Sequence, residues 1–296
     1  MISNKNSTLC LLLITIAFSW MGCNTSAKRQ VTTKKKPVIQ RNQPPAFTYS
    51  LEKSADWKKQ YSNTPNATTM NIVTAVNRTD AANLKSLDSI LVPSALSGDI
   101  GYYLHFPMQV PALTEIDKII FFNYSTQTFA AYEYGELLYS GPTSMGRKAH
   151  PTPVGLYFCN WKAEKTISTF NDEWELKSNF NIENDAGIGF HQYALPGYPA
   201  SHSCLRLRET DAKLLYNWAE QWKLNKKEEV LYKGTPVIIF GIYPFDGPKP
   251  WMILTTNPAA LDQTSAGIEQ VLQPYLPSIK EAVRTRNIEQ LNSTNG

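Results

Sequence analysis

The sequence predicts a mainly β fold with few helices, on three observations. Short apolar runs rich in Ile, Val, Phe and Tyr recur from Lys118 onward, Gly and Pro punctuate the chain densely from Gly141 to Gly155, and aromatic residues reach 11%. β-branched and aromatic side chains suit a pleated, half-buried surface, and a high aromatic share also suits a ligand groove. The 296 residues suffice for one or two domains, and 42% apolar against 18% charged residues is a globular composition.

In chain order, residues 51–61 suit a short helix with Leu51, Ala55, Trp57 and Tyr61. Ile72, Val73 and Val76 have helical spacing, and Ile90-Leu91-Val92 before Pro93 reads as a strand. Strands follow at 119–124, 128–132 and 137–140, with Gly135-Glu136 as the tight turn between the last two. Residues 154–161 and 235–243 complete the strong runs, while His105 lies in a strand-like stretch. The clearest helix covers 210–222: Thr210 suits the N-cap, Asp211 the first turn, and Leu214, Leu215, Trp218 and Trp222 share one face. A thinner apolar stripe places a further helix at 279–291.

Charge is unevenly distributed. Residues 1–51 carry seven basic side chains and no acid, whereas the other 245 carry 22 basic and 25 acidic ones. A body of net charge −3 gives no footprint for nucleic acid. The basic stretch 28–41 fits a solvated linker beside an anionic surface better than a nucleic-acid arm. Residues 1–22 have the pattern of an export signal: Lys5, then an apolar run of about 13 residues from Leu9 to Met21, too short to span a bilayer, then Gly22 before Cys23. Gly22-Cys23 resembles the lipobox of bacterial lipoproteins, which implies lipidation of Cys23; an ordinary cleaved signal or an uncleaved anchor also fits. The expected location is the cell envelope or periplasm, with a membrane partner reached through the lipid and a polar, Pro-containing tether over 23–46.

The chemistry concentrates between Gly189 and Leu207. Cys204 sits in a polar loop bounded by Gly197, Pro196 and Pro199, and two of the four His lie close in sequence, His202 and His191. A thiol needs an imidazole or a positive charge nearby to become a thiolate near neutral pH. Arg206 adds that charge, and backbone N–H groups beside the Cys can receive an oxyanion. His191, His202 and Cys204 are also metal donors, but they lack the paired C-x₂₋₄-C spacing of zinc sites, so neither metal nor organic cofactor is implied. Cys159, between Phe158 and Asn160, reads as a core residue, with pairing to Cys204 under oxidation left open.

His191, a short loop, and Ser201-His202-Ser203-Cys204-Leu205-Arg206 resemble the catalytic signature of the YkuD-type L,D-transpeptidase family. Ser144-Met145-Gly146 with Thr152-Pro153-Val154-Gly155, and Lys233-Gly234-Thr235-Pro236-Val237, resemble its supporting motifs in the same order. The resemblance implies a β-sandwich catalytic domain with a short helix after the Cys. It further implies Cys204 as nucleophile, His191 as base, oxyanion contacts from Ser203, Cys204 and His202, and a substrate or loop-ordering role for Arg206 and Ser201. The implied partner is the peptidoglycan stem peptide, whose terminal D-Ala is replaced by an amine to give a 3→3 crosslink, or by water or a free D-amino acid. Ser203 departs from the family's Gly, so a catalytically weak peptidoglycan-binding envelope lipoprotein is the alternative. Residues 68–92 resemble part of a LysM module, though a small helix–strand cap fits equally. The expected organisation is a signal at 1–22, tether at 23–46, small α+β segment at 47–112, catalytic domain at 113–245 and helical extension at 246–296.

Overall fold

The computed structural model describes Met1 and residues 38–61, 66–168 and 174–294. The leader, Cys23 and tether residues 24–37 lie outside the described residues. No helix among those described is long and apolar enough to cross a membrane. Residues 38–296 fall within one compact unit.

The first element is a strand, β1 (Tyr49–Lys53), where a helix was expected from residue 51; helix α1 follows at Ser54–Gln60. Leu51 is 55% exposed although it stands two residues from the buried Tyr49, so its apolarity had suggested a burial that the short strand does not give it. Helix α2 (Ala67–Val76) is capped by Asn66, whose side chain accepts from Thr69 N–H at 2.8 Å. A one-turn helix α3 (Ala81–Leu84), capped by Asp80, leads to β2 (Ser89–Pro93), which pairs antiparallel with β1. This β-α-α-β unit does not stand apart. Tyr49, Ile72, Val76 and Leu91 share a core with Phe122 and Phe129, and Arg78, fully buried, donates to the Thr126 carbonyl at 2.8 Å.

Strands β3 (Ile119–Asn123), β4 (Thr128–Glu133) and β5 (Glu136–Pro142) form a meander. The β4–β5 turn is Tyr134-Gly135, one residue earlier than expected, with positive φ at both positions (49° and 82°). That is the pair of angles a two-residue hairpin of the twist-matching kind requires. Next come β6 (Gly155–Phe158), β7 (Lys162–Ile167), β8 (Glu175–Glu183), β9 (Ile188–Gln192) and β10 (Leu205–Leu207). Helix α4 (Glu209–Trp218) begins earlier and ends earlier than the expected 210–222. Arg208 is its N-cap, since Asp211 is taken by Arg208 Nε at 2.7 Å, and beyond extended Ala219 the chain enters β11 (Lys223–Leu224). Strands β12 (Val230–Tyr232) and β13 (Pro236–Phe240) follow.

Two sheets enclose the core. One is ordered β5-β4-β3-β13-β6, the other β10-β9-β8-β7, while β11 and β12 form a small ribbon. Ile120, Phe122, Val237 and Ile239 on one face of the first sheet meet Phe180, Phe190, Leu205 and Leu207 of the second. The other face of the first sheet, with Ile119, Phe121 and Ile238, is covered by α5 (Ser265–Leu272) and α6 (Leu276–Thr294) through Ile268, Leu272 and Ile279. Each such side chain contributes about 2 kcal/mol. The C-terminal extension is therefore the third layer of the fold, and β3 is buried on both faces. His105 is not in a strand: it sits at φ 63° with its ring nitrogen 2.7 Å from Asp262.

Candidate active site

Register places the chemistry. Strands β9 and β10 run parallel, pairing Leu205 with Phe190 and Arg206 with His191. Because strand side chains alternate, Phe190, Leu205 and Leu207 enter the core, while His191 and Arg206 take the opposite face, as does Cys204 just before β10. The result is a cleft of about 40 Å³ lined by His191, Cys204, Arg206, Ser201, His202 and Tyr193, with Gly187 and Trp174 also on its wall. Trp174 stands just before β8 and its ring lies 5.2 Å from that of His202. The β7–β8 pairing thus brings Trp174 to the wall of the cleft. Residues 169–173 between the two strands lie outside the described residues.

The supporting motifs hold the catalytic loop through backbone contacts. Gly146 pairs with Ser201 in a parallel bridge, Ala200 and Ser201 N–H both donate to the Met145 carbonyl at 3.0 Å, and Ser144 Oγ donates to the Tyr198 carbonyl at 2.7 Å. Thr152 Oγ accepts from Gly146 N–H at 2.8 Å and donates to the Ser203 carbonyl at 2.9 Å. A Cβ on Gly146 would lie 2.2 Å from the His150 carbonyl oxygen, so only glycine permits this crossing. Ser201 Oγ donates to the Cys204 carbonyl at 2.5 Å, which closes the turn carrying the thiol. From the other side, the loop is moored to the N-terminal unit by Thr79 Oγ to the Leu195 carbonyl and Leu195 N–H to Asp80, both at 2.8 Å.

Residues 117–239 match the sequence model of the YkuD family, the L,D-transpeptidase catalytic domain. These residues are similar to a YkuD-type domain. Curated proteins give no match to the chain. Among solved structures, the chain is similar to an L,D-transpeptidase from Stackebrandtia nassauensis at 23% identity and a TM-score of 0.36, over 43% of this chain and 57% of that one. An L,D-transpeptidase from Mycobacterium tuberculosis is similar at 24% identity and a TM-score of 0.34, over 42% and 58% of the two chains. One from Mycobacterium smegmatis is similar at 20% and 0.34, over 42% and 59%. The match thus spans under two thirds of each neighbour.

Within the YkuD-like domain the six residues singled out from sequence, Cys204, His191, His202, Ser203, Arg206 and Ser201, lie together, but not in equivalent places. Ser203 is not on the cleft wall. Its φ is +83°, the glycine-favouring region, and its half-buried side chain donates through the hydroxyl to the Pro151 carbonyl at 3.1 Å, away from the cleft lining. Its N–H and that of Cys204 find no acceptor among the described residues. His202 belongs to a rim cluster: Arg147 Nη2 donates to its Nε2 at 2.6 Å, and the His150 ring lies 4.8 Å away. Neither Arg147 nor His150 is marked as a site residue by the sequence. Both lie inside the Gly146–Thr152 motif, and the Gly146–Ser201 bridge brings them to the site. Cys159 is fully buried, and both Cys159 and Cys204 are free thiols.

Protonation follows from burial. Burial drives His191 down to about 4, only partly offset by its bond to the Gln192 carbonyl. That bond, 3.0 Å from Nδ1, sets the proton on Nδ1 and leaves Nε2 as the acceptor. Burial also raises the Cys204 thiol, against a backbone hydrogen bond from Gly189 and the charge of Arg206. The free protein therefore holds a neutral thiol beside a neutral imidazole rather than an ion pair. The alkylation rate of Cys204 is expected to rise with pH to beyond pH 9, without the plateau near neutrality that a thiolate–imidazolium pair gives. A plateau between pH 5 and 8 would refute the neutral pair.

Ser203→Gly tests the strained position. Glycine removes about 1–2 kcal/mol of left-handed strain and forfeits one hydroxyl hydrogen bond worth about 1 kcal/mol. The expected result is a melting temperature unchanged or a few degrees higher, with activity retained. A collapse of activity would show that the Ser203 side chain takes part in the reaction.

Proposed function

We propose that this chain is a cysteine L,D-transpeptidase acting on peptidoglycan tetrapeptide stems. The observation that carries the reading is the register of β9 and β10, which puts His191 and Cys204 in one cleft beside two unused backbone donors. His191 Nε2 takes the thiol proton as Cys204 Sγ attacks the carbonyl at the L-centre of the stem's diamino acid. The tetrahedral oxyanion is received by the N–H groups of Ser203 and Cys204, each worth about 3 kcal/mol of barrier. As the intermediate collapses, the C–N bond to D-Ala breaks, the proton on His191 passes to the departing amine, and a thioester remains. An amine from a second stem then gives its proton to His191 and attacks the thioester, forming the new amide and returning the thiol. Water in that second step gives the shortened stem instead.

Arg206 supports the reading through charge. It stacks on Tyr193 at 4.5 Å, lines the cleft, and is positioned for a substrate carboxylate. Ser201 acts through the loop, as a positioning residue on the Cys204 carbonyl. The departure at Ser203 gives no support to an inactive binding protein, because its hydroxyl is bonded away from the cleft. Anchoring through a lipidated Cys23 in the cell envelope completes the proposal and rests on the Gly22-Cys23 junction. The test is incubation of the reduced full chain with disaccharide-tetrapeptide, read by mass spectrometry. A crosslinked dimer with loss of D-Ala supports the reading; unchanged substrate from folded protein with a titratable Cys204 contradicts it.

A further inference from the structure

Tyr193 is a wall shared by two cavities. On one side it borders the Cys204 cleft. On the other it borders a groove of about 940 Å³ between the N-terminal helices α2 and α3 and the chain from Gln192 to Ala194. The groove is the larger of the two. Its lining combines Tyr193 and Tyr139 with the small side chains of Ala67 and Ala82 and the polar groups of Thr68 and Asn83.

Its charges are internally satisfied. Arg208, the basic residue on its wall, is bonded to Asp211 through Nε at 2.7 Å and Nη2 at 3.1 Å, and to Asn71 Oδ1 at 2.7 Å. Asp80 accepts from the N–H groups of Asn83 and Leu195, both at 2.8 Å. Glu209 is paired with Lys213 at 2.5 Å. A carboxylate-bearing peptide therefore meets no open cation here, in contrast to the Arg206 side of Tyr193. An uncharged sugar chain has what it needs: ring faces for its C–H surfaces, and hydroxyl and amide groups for its hydroxyls and N-acetyl groups. A groove of this size with a few polar groups on an apolar lining has the usual form of a ligand site.

We propose that this groove holds the uncharged glycan backbone of the strand whose stem peptide enters the Cys204 cleft. The inference rests on the peptidoglycan reading above, and names the part of that substrate the N-terminal unit receives. It also accounts for why the β-α-α-β unit is tied to the catalytic loop at Thr79 and Asp80 rather than loosely appended.

Ala67→Trp and Ala82→Trp fill the groove from exposed helical positions that do not touch the cleft. In the full chain, calorimetry with chitotetraose, an N-acetylglucosamine oligomer without stem peptide, is expected to show binding that weakens about tenfold or more in both variants. The kcat/KM for disaccharide-tetrapeptide is expected to fall by about the same factor, with turnover of free tetrapeptide unchanged. Lack of chitotetraose binding by the unmodified chain, or equal binding by both variants, would overturn the proposal. An equal fall on both substrates would overturn it too, by assigning the groove to peptide. Chitotetraose binding that the variants lose, with no turnover of either substrate, would keep the groove assignment while the transpeptidase reading fails.

Discussion

Cys204→Ala is expected to lower turnover of a tetrapeptide stem by about 10⁶, the scale on which loss of a covalent nucleophile acts. The substitution should do so without unfolding the site. The thiol meets only backbone, at the Gly187 carbonyl 3.7 Å away and at Gly189, and is partly exposed. The loop around it is held by backbone contacts that alanine preserves: Ser201 Oγ to the Cys204 carbonyl, Thr152 Oγ to the Ser203 carbonyl, and the paired donors to Met145. Stem-peptide binding should therefore survive in the variant, measurable by calorimetry, while product formation falls to background. Turnover that persists would remove Cys204 from the mechanism; binding and turnover lost together with the melting transition would indicate a structural role.

His191→Gln is expected to cost about 10² to 10⁴ in kcat, the range for removal of a positioned general base, with a smaller effect on KM. It carries a second readout that a purely structural residue would not give. In the unfolded chain His191 titrates near the ordinary imidazole value of 6.5, and in the folded protein burial lowers it to about 4. Below pH 6.5 the unfolded state binds a proton that the folded state refuses, so stability contributed by neutral His191 is complete above 6.5 and is lost as pH falls toward 4. The full swing is on the order of 3 kcal/mol. His105, lowered by burial as well, acts with the same sign and remains in the variant. Urea unfolding from pH 7 to pH 4 should therefore show a steeper loss in the unmodified chain than in His191→Gln; parallel curves would contradict the buried neutral imidazole.

What could be read from the sequence follows from how local each signal is. His191, Cys204 and their neighbours were legible because the thiol, the imidazole and the loop residues lie within 16 positions of each other. Strands β3, β4, β5 and β13 were legible from runs of Ile, Val and Phe, buried on one or both faces. Strands β7 and β8 were not: Lys162–Ile167 and Glu175–Glu183 are interrupted by Lys and Glu, Glu175–Glu183 also by the buried Asn179 and Asn181, and neither has an apolar run. Leu51 misled because it is apolar and exposed beside the buried Tyr49. Arg147 and His150 owe their place to the Gly146–Ser201 bridge, a contact across 55 residues that spacing does not announce. The thin stripe of α6 marked a helix at 279–291 but not its partner: Ile279 and Val283 close the back of the central sheet, and buried Arg286 reaches Asp117 at 2.5 Å.

The account stands or falls on covalent chemistry at one sulfur. The direct measurement is intact-mass and peptide mapping of the reduced full chain, quenched in acid within seconds of mixing with disaccharide-tetrapeptide. The predicted result is an adduct equal to the substrate less D-Ala, mapped to Cys204, sensitive to hydroxylamine and absent from Cys204→Ala. Product formation with no adduct at Cys204, or an adduct at another residue, would contradict it.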